Sequence, residues 1–165
     1  MNEYEEVRVR LKSTRYEVEA SLFSQEDPDD EGGLRRMPAE VTAEPETIEI
    51  NTLGKRTLEE GRVRISYEET EATGMDGSTT TVSFLKDQPE VVSMIREGMV
   101  STVLVFEAGK RHHCLYQTPF MPFEVCVRTL KVKNRLAEEG ILELDYVIEI
   151  RGAQAERTKF RMEVL

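Results

Sequence analysis

A chain of 165 residues with a net charge of −10, 33% charged and 39% hydrophobic, can build one buried core, and its sign of charge disfavours general binding to phosphate backbones. No apolar run approaches the about 20 residues of a membrane-spanning helix. The acidic start Met1-Asn2-Glu3-Tyr4-Glu5-Glu6 lacks the apolar stretch of a secretory signal. The expectation is one cytoplasmic domain over residues 1–165, with neither nucleic acid nor membrane as partner.

Val7, Val9 and Leu11, then Tyr16, Val18, Ala20 and Leu22, alternate with the period of a strand that has one buried face. Lys12 to Arg15 reads as a polar break where the chain turns or bulges. Residues 25–46 change character: Ser24 to Gly33 holds five acids, a proline and two glycines, and Pro38 and Pro45 follow. Such a stretch buries too little apolar surface to offset its ordering entropy, and it reads as a flexible acidic loop insertion. The other reading is an acidic arm that attracts a basic partner.

Alternation resumes at Ile48, Ile50 and Thr52, punctuated by Gly54, and again at Val63, Ile65, Tyr67 and Glu69. Thr73 to Ser78 is a turn, and the β-branched run Thr79 to Phe84 a strand. Val91 to Arg96 fits helix and strand spacing alike, and Gly98 ends it. Strands follow at Val100–Phe106 and Arg111–Gln117, joined by Ala108-Gly109-Lys110. Pro119 and Pro122 force the next turn, Phe123–Val132 is a long strand, and Asn134–Gly140 is a turn with room for one helical turn. Leu142, Leu144, Tyr146, Ile148 and Ile150 give the clearest alternation, and Phe160, Met162 and Val164 share one face of the last strand.

About nine or ten strands with hairpin-length connections make an all-β protein with antiparallel sequence neighbours. An up-and-down β-barrel removes the edges, and a sandwich is the alternative. Closure pairs Val7–Leu11 with Phe160–Val164, and the face from Leu142 to Ile150 lines the interior. Lys131, Lys133 and Arg135 alternate on one strand and read as a solvated face.

An ordered series of short motifs carries a resemblance. It comprises Tyr67-Glu68-Glu69-Thr70-Glu71, Thr73-Gly74-Met75-Asp76-Gly77, Arg96-Glu97-Gly98, Phe106-Glu107-Ala108-Gly109-Lys110-Arg111-His112, Tyr116-Gln117-Thr118-Pro119-Phe120 and Gly140-Ile141-Leu142-Glu143-Leu144-Asp145-Tyr146. In this order the motifs resemble the YwiB-like family of small bacterial proteins. The resemblance implies a calycin-like, lipocalin-like β-barrel and carries over no activity and no catalytic residue. The chain departs from it at Met121-Pro122, where the family tends to have glycine.

Cys114 and Cys126 are symmetric about Phe120, so a hairpin centred there places them opposite each other with His112 on the same face. That geometry admits a disulfide or three zinc ligands, but a reducing compartment and the missing fourth ligand favour free buried thiols and no metal. His113 points to the other face. Tyr67, Glu69, Arg96, His112 and Tyr116 are the candidate ligand-binding residues, set to converge inside the barrel. A carboxylate there needs a partner, and Arg96 is the natural one. The set acts either as a structural ion pair that fixes register or as polar groups orienting a small ligand with an anionic or hydrogen-bonding head. No phosphate loop, GxSxG elbow, HExxH or EF-hand pattern occurs, so no catalytic residue and no cofactor is assigned. The expected function is binding of a small amphipathic or anionic ligand inside the barrel. A protein-interaction module using the outer face or acidic loop is the alternative.

Overall fold

The structure, a computed structural model, describes residues 3–18, 45–70, 77–150 and 154–165. Its elements are β1 (Glu5–Val18), β2 (Glu46–Glu59), β3 (Arg62–Glu68), β4 (Thr79–Leu85), β5 (Gln88–Glu97), β6 (Ser101–Glu107), β7 (Arg111–Gln117), β8 (Pro122–Arg135), β9 (Ile141–Ile150) and β10 (Gln154–Val164). Each strand pairs antiparallel with its sequence neighbours, and β1 pairs with β10 to close a barrel. Val9 faces Val164 and Leu11 faces Met162, the closure expected from the terminal alternations. Among the described residues no helix is long and apolar enough to cross a membrane.

Alternation decides what fills the barrel. Val9, Ile65, Val82, Phe106, Leu144 and Met162 are among the side chains sealed from water in its middle. Leu142, Leu144 and Tyr146 join this core and Ile148 packs against it, as the pattern of β9 requires. The tight β2–β3 turn takes positive φ at Glu60 (50°) and Gly61 (78°), the handedness that matches twisted strands. Gly54 is needed for a different reason. A Cβ there would lie 2.7 Å from the Ser66 carbonyl oxygen and 2.8 Å from Val9 Cγ2, so this strand crossing leaves no room for a side chain.

The two ends of the barrel differ. At one end β8 runs past β7, and Asn134 Nδ2 donates to the Pro89 carbonyl at 3.1 Å, tying β8 to β5. Asn134 Oδ1 accepts from Leu136 N at 3.1 Å and holds the turn that buries Leu136. Glu139 N donates to the Arg135 carbonyl at 2.8 Å, which is the single helical turn expected here. Leu136 plugs this end with carbon. The opposite end, where odd-numbered strands hand over to even-numbered ones, is lined with polar side chains.

Four details differ from the sequence reading. β1 runs through Lys12–Arg15 without a break, so odd positions face inward up to Arg15 and Tyr16 lies outside, with Lys159 Nζ 5.8 Å from its ring centroid. Val91 to Arg96, with their double spacing, lie in strand β5 because that strand pairs on both sides, with β4 and β6. Pro122 starts β8 rather than ending the turn before it. Glu46 opens β2, so the acidic stretch stops short of it, and residues 25–44 lie outside the described residues.

Candidate functional site

A single cross-strand row organises the polar end. Tyr67 of β3 faces Thr80 of β4, Thr80 faces Arg96 of β5, Arg96 faces Thr102 of β6, and Thr102 faces Tyr116 of β7. All five occupy inward-facing positions of their strands. Glu69 stands just beyond Tyr67, fixed by its own N–H donating to the Ser78 carbonyl at 2.8 Å. Its side chain is 2% exposed and that of Arg96 is 15% exposed, with Arg96 Nη2 3.5 Å from Glu69 Oε1. Thr80 links the two: its hydroxyl donates to Glu69 Oε1 at 2.6 Å and accepts from Arg96 Nε at 3.3 Å. A buried carboxylate thus has both a countercharge and a hydrogen-bond donor, the two things that make its burial tolerable.

A second row adjoins the first. Arg15 of β1 faces Thr158 of β10, which faces Tyr146 of β9. Arg15 Nε lies 3.5 Å from Glu156 Oε1. Tyr146 rests on Phe106, ring centroids 4.6 Å apart, so these two rings form the boundary between the polar end and the apolar middle. Burial pushes the Tyr146 phenol up to about 12, against the lowering influence of Arg96. Burial also raises the Tyr67 phenol, and the negative charge of Glu69 raises it further. Both shifts favour the protonated hydroxyl.

Of the expected convergent set, Tyr67, Glu69, Arg96 and Tyr116 come together on or beside the first row. His112 does not. It precedes Tyr116 by four residues on β7, about 13 Å along a strand, and lies near Glu107 instead. Its Nε2 is 3.6 Å from Glu107 Oε1, within ion-pair reach, and makes no hydrogen bond among the described residues. The Glu107 carboxyl is lowered, chiefly by its hydrogen bond to Lys110. The cysteine geometry also differs from expectation. The β7–β8 register pairs Cys114 with Val125 and His113 with Cys126, one residue away from a hairpin centred on Phe120. Thr118 causes the offset: its Oγ1 accepts from Phe120 N and Met121 N, and donates to the Met121 carbonyl at 2.8 Å. Cys114 therefore joins the inner core with its thiol raised by burial, while Cys126 sits on the outer face beside Glu149, its register partner on β9. His112, Cys114 and Cys126 do not share a face, and no metal-holding group of three appears among the described residues.

Residues 37–162 match a family described as "Domain of unknown function (DUF1934)". The chain belongs to this family. Comparison with curated proteins gave no match. Among solved structures, the "Crystal structure of ywiB protein from Bacillus subtilis" is similar with a TM-score of 0.60 and 18% identity, covering 96% of this chain and 92% of that one. The YwiB-like resemblance carried by the motifs is thereby borne out, and at this identity the structural likeness speaks to fold alone. The motif Tyr67–Glu71 of this DUF1934 chain supplies Tyr67 and Glu69, and Arg96-Glu97-Gly98 supplies Arg96. Thr80, Tyr146, Thr158, Arg15 and Glu156 were not read as site residues. Thr80 lies in a run of three threonines whose inward member is set by register, and Arg15 lay in the supposed break. The alternation of β1, carried through the polar positions, would have placed Arg15 inside.

Proposed function

We propose that this barrel binds a small ligand at its polar end, above the Phe106–Tyr146 floor, with Arg96 receiving an anionic or hydrogen-bonding head. One observation carries the reading: the ion pair of Glu69 and Arg96 faces the barrel interior at the end that is lined with polar groups, while the other end is plugged by Leu136. The packed middle confines a ligand to that end, where the phenols of Tyr67, Tyr116 and Tyr146 surround Arg96. No nucleophile–base pair accompanies them among the described residues, and the reading is binding rather than catalysis. The test is native mass spectrometry of protein purified without denaturation, followed by denaturing extraction. The expected result is one small molecule released by the wild type and depleted in Arg96→Lys, which keeps a countercharge for Glu69 but loses the planar fork. Protein that emerges empty, and whose polar-end resonances ignore added small carboxylates, would refute the proposal.

A second reading has its own observation. Met99, Val103, Leu115, Phe120 and Met121 are all exposed, and they cluster on the outer side of β6, β7 and their turns. Thr102 faces Tyr116, so Val103 and Leu115 are neighbours across the short β6–β7 ladder, Ser101↔Gln117 and Thr102↔Tyr116. An apolar patch of this kind fits a protein-interaction module. It is compatible with ligand binding inside.

A further inference from the structure

Charge at the polar end is distributed unequally over two neighbouring walls. On the wall of β3, β4 and β5, Glu69 is enclosed and Arg96 commits Nε to Thr80 and Nη2 to Glu69. A guanidinium has five N–H donors, so among the described residues Arg96 Nη1 keeps donors for an incoming acceptor. On the wall of β10, β1 and β2, Arg15 meets Glu156, with side chains 39% and 41% exposed, and the register partner of Arg15 on β2 is Glu46. That wall carries two carboxylates to one guanidinium, and both carboxylates lie where water or a ligand reaches them. Tyr146, on β9 next to β10, points into the barrel within electrostatic reach of Arg96 on one wall and of Arg15 and Glu156 on the other.

We propose that the polar end is built for a small zwitterion, its carboxylate directed to Arg96 and its ammonium group to Glu156 and Glu46. The inference rests on the ligand-binding reading above and names its chemical class. A lone anion enters against the field of a chain with a net charge of −10 and gains Arg96 only by competing with Glu69. A lone cation satisfies the rim but leaves the free donors of Arg96 facing its apolar end. A molecule with both charges adds no net charge and gives each wall the partner it lacks. A short methylene spacer between the charges lies over the Tyr146 ring, which covers Phe106.

Three probes with one skeleton separate the cases: 6-aminohexanoate, hexanoate and hexylamine, titrated into the full chain and followed by NMR shifts of polar-end residues and by calorimetry. The expected result is that 6-aminohexanoate binds at least tenfold more tightly than either singly charged probe. Glu156→Gln, at an exposed position that leaves the barrel folded, should weaken the zwitterion severalfold and leave hexanoate unchanged. Hexanoate binding as tightly as the zwitterion, with Glu156→Gln neutral for both, overturns the zwitterion assignment and leaves the ligand-binding reading standing. Polar-end resonances that respond to none of the three overturn both.

Discussion

Removing Arg96 should cost more than removing Glu69, although both take away one charge of the same pair. Arg96→Met keeps the length and apolar stem of the side chain but leaves Glu69, 2% exposed, with the Thr80 hydroxyl as its remaining bond. Breaking a buried pair by deleting one partner costs about 3–5 kcal/mol, because the other charge stays buried and uncompensated. Glu69→Gln leaves an amide oxygen that still accepts from Thr80, and Arg96, 15% exposed, retains its bond to Thr80 and some access to water. The loss there is about 1.5–3 kcal/mol, that of one charge-assisted contact. The double variant removes both charges and should lie close to Glu69→Gln alone, so the coupling equals the Arg96→Met penalty of about 3–5 kcal/mol. For a domain of this size the Arg96→Met penalty is a drop in Tm of about 6–20 °C, at about 2–4 °C per kcal/mol. Urea unfolding of the wild type, both single variants and the double variant at pH 7 measures the cycle, with the m-value checked for constancy. Two single variants of equal stability, or a double variant whose loss is the sum of both, would refute the enclosed-carboxylate account.

Two further outcomes follow from the same geometry. The phenols of Tyr67 and Tyr146 are held protonated in the folded barrel, while in the unfolded chain they ionise near pH 10. The stability this contributes is complete below pH about 10 and is lost as pH rises through 10 toward 12 and above, because the unfolded chain sheds protons the folded one keeps. Urea unfolding between pH 9 and pH 11.5 should show that decline, and Tyr146→Phe should flatten it by up to about 1.4 kcal/mol per pH unit; an unchanged slope contradicts the burial of that hydroxyl. Cys114 and Cys126 lie on opposite faces of the β7–β8 hairpin, so mild oxidation of folded protein should yield no bond between them. A high yield of the Cys114–Cys126 peptide would show that the register is shifted by one.

The alternations of β1, β3, β9 and β10 made the barrel legible in the sequence, since period two assigns a face at every residue once one face is known. Closure between Val9 and Val164 followed because meandering strands that leave no edge must join first to last. Glu69 and Arg96 were legible as partners because an inward carboxylate must find a cation and few candidates exist. What escaped was set by turns. The offset at Thr118–Met121, caused by hydrogen bonds to Thr118 Oγ1, moved Cys126 to the outer face, and symmetry about Phe120 gave no warning of it. His112 was correctly placed on the inward register but at the wrong height, because parity fixes a face and says nothing about distance along the strand. Arg15 was missed because four polar residues in sequence look like a break, whereas β10 and β2 keep them in a strand.

A buried ion pair needs a reason, since an apolar replacement of similar volume is often equally stable. Register alone is a weak reason in this barrel. A slip of one residue in β3 would turn Val63, Ile65 and Tyr67 outward together, and Gly54 tolerates no side chain in its place at the crossing with Val9. Both penalties act without Glu69 or Arg96. Filling space is a weak reason too, because at the other end the chain closes the same barrel with Leu136 and a single amide bond from Asn134. A chain able to close one end in carbon has done the opposite at the other, aligning Tyr67, Thr80, Arg96, Thr102 and Tyr116 in one row and adding Glu69, Tyr146, Arg15 and Glu156 around it. The enclosed members of this set gave up hydration on folding, and the set recovers the most when something with complementary charge and hydrogen-bonding groups occupies the space it faces. The asymmetry between the two ends, more than any single residue, supports the assignment of the polar end as a binding site.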